Sequence, residues 1–193
     1  MRVIPFALAG AMLLASPYTA SAEPYILDKS HAQVLFEVGH LGFSNVHGQF
    51  RKFDANIVFD PENVEETQVN FVIDASSVDT FWEARDVHIR SKDFLDVENF
   101  PEITFVTTSV APTGTDTADV AGDLTIRGVT QPAVFEAKLN KMAPSPFNPN
   151  QTIAGFTVTG QIDRARYGVT FAAPAVSTII PIRIEVEMSP ATN

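Results

Sequence analysis

The chain has 193 residues, no cysteine, and 23 acidic against 13 basic residues, for a formal charge of −10. Such an acidic balance argues against nucleic acid or an anionic bilayer surface as a partner. Without cysteine there is no disulfide, thiolate nucleophile or zinc–thiolate centre, so a hydrophobic core must carry the fold unaided.

Residues 1–22 read as a cleaved signal peptide: Arg2, a mostly apolar stretch over 3–15 too short to span a bilayer, and Ala20-Ser21-Ala22 as a small-residue cleavage site. The remainder, 23–193, suits a single domain, with the periplasm as its expected compartment.

From there the dominant pattern is period two, the signature of half-buried strands. Ala32, Val34, Phe36, Val38 and His40 share one face. Gly48 and Phe50 lead into Phe53, Ala55, Ile57 and Phe59 with a parity flip at Arg51-Lys52, which predicts a β-bulge. Asp60-Pro61-Glu62-Asn63 is a turn, and Val69, Phe71 and Ile73 follow. Ile103, Phe105 and Thr107 alternate less cleanly, because Val106 and Val110 break the pattern. Four further runs follow: Val120 to Ile126, Phe135 to Leu139, Ala154 to Ile162, and Ile180 to Met188. Eight strands with one apolar face predict an all-β, eight-stranded antiparallel barrel, preferred over a sandwich because the strands are long and the bulge favours curvature.

One segment does not alternate. Residues 76–105 hold the lone Trp82 and a mixture of charge and aromatics, and predict a helical excursion over about 79–100 between strands 3 and 4. Thr80 and Glu83 have capping-box spacing, Asp86 and Arg90 stand at i,i+4, and Pro101 returns the chain to extended geometry. The excursion reads as a lid or plug over a barrel end.

Large and small residues mix on the inward face, which fits either a packed taper or a ligand cavity. If a cavity, its wall is Phe36, Phe50, Phe71, Phe105, Phe135 and Phe156. His40 stands near one end, while Trp82, Arg85, His88 and Phe94 of the excursion are candidates to shape the site or meet a ligand's polar head. The histidines fall into no metal spacing, and no G-x-S-x-G, Gly-rich phosphate loop or C-x-x-C occurs. No catalytic or metal residue is assigned.

Several motifs taken together resemble the YceI-like family. They are Asp28-Lys29-Ser30-His31, Val46-His47-Gly48-Gln49-Phe50, Phe59-Asp60-Pro61, Arg85-Asp86-Val87-His88-Ile89, Phe100-Pro101-Glu102-Ile103-Thr104-Phe105, Gly122 to Thr130, and Arg166-Tyr167-Gly168-Val169. The resemblance implies a lipocalin-like barrel that binds a long apolar lipid, a polyisoprenoid or isoprenoid quinone in several members and an amide-bearing lipid in others. It also implies a link to stress responses and a b-type cytochrome as a membrane partner. No cofactor is required beyond a bound lipid.

Three readings follow: a lipid-binding module; a lipid-acting enzyme with His40 or His88 as base; and a scaffold with a filled core. The overall charge favours a neutral head group, although Arg85, Arg90, Arg127, Arg164 and Arg166 would offer a local anion site if they clustered. A strand edge over 103–110 is the expected pairing surface of a homodimer.

Overall fold

Each strand has one apolar face to hide, and a sheet closed upon itself hides all of them at once while leaving no long edge exposed. The computed structural model describes residues 22–191, so the expected signal segment lies outside the described residues except for Ala22. The strands are β1 (Glu23–Leu27), β2 (Gln33–His40), β3 (Ser44–Phe50), β4 (Phe53–Phe59), β5 (Gln68–Asp74), β6 (Val78–Asp79), β7 (Glu102–Pro112), β8 (Thr117–Ile126), β9 (Val129–Pro144), β10 (Thr152–Asp163) and β11 (Ile179–Pro190), with one helix, α1 (Glu83–Arg90). All pair antiparallel. The order β1-β4-β5-β7-β8-β9-β10-β11 closes through β1 on β11 into an eight-stranded barrel.

The other three strands prolong the wall. β2 pairs further along β11 than β1 does, and β6 pairs with β3 just as β5 pairs with β4. Three neighbouring strands are therefore interrupted, at 28–32, 51–52 and 75–77. Backbone groups freed there find local partners: the Lys52 amide donates to Ser77 Oγ at 3.1 Å, and the Asp74 amide to the Lys52 carbonyl at 2.9 Å. The parity flip at Arg51-Lys52 is the middle interruption, and it keeps Phe50 and Phe53 packed against the same core cluster.

A second irregularity resolves the ambiguous strand. The β7–β8 register shifts between Thr107 and Ser109, which turns Val110 inward at 8% exposure and leaves Val106 outward at 47%. It also ends the pairing of β7 with β5 at Val106–Asn70. Thr107 Oγ1 bridges the break by accepting from the Val69 amide and donating to its carbonyl, at 3.2 and 3.1 Å. Beyond that point β5 and β7 form no further ladder pairs, and the 3-10 turn Val64–Glu66 that precedes β5 lies against β7.

Two expectations are corrected. Residues 103–106 are not a free edge, because β7 is paired there on both sides. The sequence reading began its strands at Ala32 and passed over β1, whose Tyr25 and Leu27 are buried.

Candidate functional site

The inward faces converge on a cavity of about 480 Å³ in the barrel axis, within the roughly 300–1,000 Å³ usual for small-molecule sites. Its wall carries Phe36, Phe50, Phe71, Phe105, Phe135 and Phe156, with Ile57, Val158, Ile182 and Ile184 among the aliphatic contributors. Both sequence-level readings of the large–small mixture apply. Glycines lie beneath rings: a Cβ at Gly160 would fall 2.6 Å from Phe135 Cδ1, and one at Gly122 would overlap the ring of Phe105. Where a neighbour lacks a side chain, the ring can lie against the wall and leave the axis open. Phe105 and Phe135 then meet edge to face at 5.5 Å, a favourable aromatic geometry.

The two barrel ends differ. At one, Leu95 and Val97, which follow α1, pack with buried Ile73, Ala75, Ile103, Ile126 and Tyr167 into an apolar stopper. At the other, the cavity is lined by the exposed Pro61 and Glu62 of the β4–β5 turn and by the exposed Pro112, Gly114, Thr115 and Asp116 of the β7–β8 hairpin. The cavity thus reaches solvent at the end lined by these two loops. Asp60 fixes the near lip: its carboxylate accepts from the backbone amides of Glu62 and Asn63 at 2.8 and 3.2 Å and from Asn63 Nδ2 at 3.1 Å. Asp60 lies in this net at 3% exposure, and the donors hold its pKa below the usual aspartate value, Asn63 most strongly.

The excursion is a plug rather than a lid over this mouth, since none of residues 79–102 lines the cavity. Its local structure also departs from expectation. Trp82 occupies the N-cap without a side-chain bond, so no capping box forms between Thr80 and Glu83. Thr80 and Asp86 are buried, and the Asp86 carboxylate accepts from the Thr80 amide at 2.9 Å and from its hydroxyl. Arg90 pairs with Glu83 instead of Asp86. Within the predicted 79–100 span helical geometry is confined to Glu83–Arg90; Asp79 ends β6, and turns and irregular backbone make up the rest.

Of the residues singled out from sequence, the six phenylalanines come together in the cavity, and His40, Trp82, Arg85, His88 and Phe94 do not line it. His40 is exposed at the end of β2, opposite Val176. Trp82 is 62% exposed with the Arg85 guanidinium 5.5 Å from its ring centre, and Arg85 is engaged by the Thr80 carbonyl and hydroxyl. His88 packs edge-on to Phe94 and Phe171 and meets Asp93 at 3.0 Å. The arginines do not gather into an anion site either. Arg164, at 7% exposure, donates to the carbonyls of Ser177, Val169, Phe171 and Val176. Arg127 binds the carbonyls of Gly168 and Lys92, Arg166 binds Gln131, and none of the five arginines lines the cavity.

The sequence reading did not single out Thr67, Glu62 and Asp116, which lie around the mouth. All three sit in loops or strand margins with no periodic signal: Glu62 and Thr67 in the β4–β5 connection and Asp116 in the β7–β8 loop.

A closed antiparallel barrel with an apolar axial cavity, one stoppered end and one open end defines a lipocalin-like binding fold. The YceI-like domain model matches residues 25–188, and the chain belongs to that family. A UPF0312 protein of Pseudomonas savastanoi pv. phaseolicola is 40% identical over 175 residues, covering 90% of each chain. Among solved structures, BcnA of Burkholderia cenocepacia superimposes with a TM-score of 0.75 at 22% identity, covering 83% of this chain and 98% of that one. A polyisoprenoid binding domain from Saccharophagus degradans gives 0.65 at 14% identity, covering 87% and 99%. At those identities the two structures speak for the fold alone.

Proposed function

We propose that this protein binds the hydrocarbon chain of one long apolar lipid, a polyisoprenoid or an isoprenoid-tailed quinone, inside the barrel. It holds or carries that lipid in the periplasm. The observation that carries the reading is the cavity itself, a phenylalanine-lined axial space whose lining includes exposed residues at one end. Each methylene moved from water into such a space contributes about 0.8 kcal/mol, so a long chain has ample driving force. Membership of the YceI-like family and the fold shared with a polyisoprenoid binding domain support the same reading.

Binding is preferred over catalysis because the cavity's polar groups form no nucleophile–base pair: His40 and His88 lie outside it. The test is titration of the protein with an isoprenoid quinone, in the natural form and as Ala137→Phe, which places a ring in the axis. The natural form saturates at one equivalent and the variant binds at least about tenfold more weakly, while its unfolding stays cooperative. Equal binding by both would remove the axis as the site.

A further inference from the structure

Two neighbouring loops at the stoppered end form an exposed apolar platform. The β2–β3 turn carries Leu41, 52% exposed, and Phe43, 88% exposed. The Leu41 amide donates to the Ala175 carbonyl at 2.8 Å and the Ser177 amide to the Gly39 carbonyl at 2.9 Å, which joins this turn to the β10–β11 loop. There residues 171–175, Phe-Ala-Ala-Pro-Ala, are all exposed. The platform is held in place. Arg164 donates to the carbonyls of Val169, Phe171 and Val176, and the Phe171 ring packs edge-on to His88 and Phe94. Leu41 and Ala172 have φ of 54° and 56°, a left-handed backbone that residues with a side chain seldom adopt. An apolar surface fixed towards solvent on strained backbone points to something that covers it.

Charge narrows what that covering is. The chain carries 23 acidic side chains, yet no aspartate, glutamate, lysine or arginine occurs over 38–50 or 167–182. Cations stand at the foot of the platform. Arg127 donates to the carbonyls of Gly168 and Lys92, and Lys92 and Arg166 are exposed with no carboxylate partner among the described residues. The neighbouring Asp93 and Asp96 are engaged by His88 and Asn99. The turn at the open end is the reverse, with Asp60, Glu62, Glu65 and Glu66 and no basic residue over 60–67. An apolar tip above a cationic foot matches a phospholipid surface, whose acyl boundary takes aromatic side chains and whose phosphates take cations. Size argues the same way. Leu41, Phe43 and residues 171–175 fall well short of the roughly 20–30 residues a side of a stable protein interface, so a second copy would be held only weakly.

We propose that the Leu41–Phe43 turn and the 171–175 loop dock this protein on a zwitterionic phospholipid bilayer. Leu41 and Phe43 enter the acyl boundary, and Lys92 and Arg166 meet the phosphates. Docking uses no residue that lines the cavity, so it does not depend on whether the barrel holds a lipid. The acidic mouth lies at the opposite end of the barrel and stays free in the aqueous compartment.

Flotation with isoprenoid-free vesicles of phosphatidylcholine and phosphatidylethanolamine tests this. The natural protein floats with the vesicles, and Ala137→Phe, altered only in the cavity, floats equally. Leu41→Asn with Phe43→Ser lowers the partition coefficient at least about tenfold. Asparagine tolerates the left-handed backbone, so the unfolding midpoint of this double variant stays unchanged. Phe147→Ser, which removes a 97% exposed ring from the loop at the other end of β10, leaves the partition unchanged. The chain has no cysteine, so Phe43→Cys and Phe147→Cys each accept a single acrylodan label, and its emission shifts to the blue on vesicles only at position 43. A natural protein that stays out of the floated fraction, or an equal loss in Phe147→Ser, overturns the docking and leaves lipid binding in the cavity untouched. So does a dimer in vesicle-free solution that the double variant abolishes, because that outcome gives the platform to a second copy.

Discussion

The ring of Phe36 lies across Gly48, its directly opposed neighbour in the β2–β3 ladder, so closely that a Cβ at that glycine would overlap the ring's Cζ. Phe36 also leans on Phe50 at 5.6 Å, so it has little room to retreat. Gly48→Ala therefore forces the ring toward the cavity axis. Overpacking of this kind costs about 1–3 kcal/mol, read as a lowered urea midpoint, and lipid affinity falls with it. Gly48→Ala combined with Phe36→Leu recovers most of the stability, because the pair is coupled through one contact.

Trp82 is exposed beside Arg85 and lies outside the cavity. Its fluorescence is expected to be quenched readily by acrylamide and to stay unchanged when an isoprenoid lipid fills the barrel. A large shift in emission on binding would mean that the excursion moves with the ligand, against its role as a fixed plug.

The barrel was readable in the sequence because burial on one face writes a period of two into every long strand; the run from Ile180 to Met188 shows it plainly. The cavity wall was readable for the same reason, since its six phenylalanines occupy inward positions of their strands. The open end was not readable. It is lined by the β4–β5 turn and the β7–β8 loop, where alternation fails and local pattern carries no direction. The excursion misled because aromatic and charged residues are what both a binding lid and a plug require. Leu95 and Val97 reach the core while Phe81 and Trp82 face solvent, and helical spacing does not distinguish the two.

Arg164 ties the 168–178 loop to the barrel through four backbone carbonyls at 2.7–3.1 Å, with its guanidinium 5.9 Å from the centre of the Phe94 ring. Arg164→Met leaves those carbonyls without their donors. The expected loss is at least about 3 kcal/mol of unfolding free energy, accompanied by proteolytic cutting within 168–178. Binding at the opposite, open end of the barrel survives in whatever fraction remains folded.

Asp79 anchors β6 to β3. Its carboxylate accepts from the Phe81 amide, from Gln49 Nε2 and from Arg51, and these hold its pKa down to about 2, the Phe81 amide contributing most. The folded value lies below the unfolded one near 3.8. The interaction therefore stabilises the fold above about pH 4, and that stabilisation is lost as pH falls toward about 2. The difference in urea midpoint between the natural protein and Asp79→Asn should shrink across that window. A difference that stays constant from pH 5 to pH 2 would assign the effect to shape rather than charge.

The central claim is that the barrel axis holds a lipid chain, and native mass spectrometry of protein purified without detergent from an isoprenoid-producing bacterium tests it most directly. The account predicts a single adduct with the mass of one long-chain lipid, lost on organic extraction and absent from Ala137→Phe. A natural protein that carries no adduct, and takes up none when offered isoprenoid quinones or polyprenols in vesicles, would contradict it.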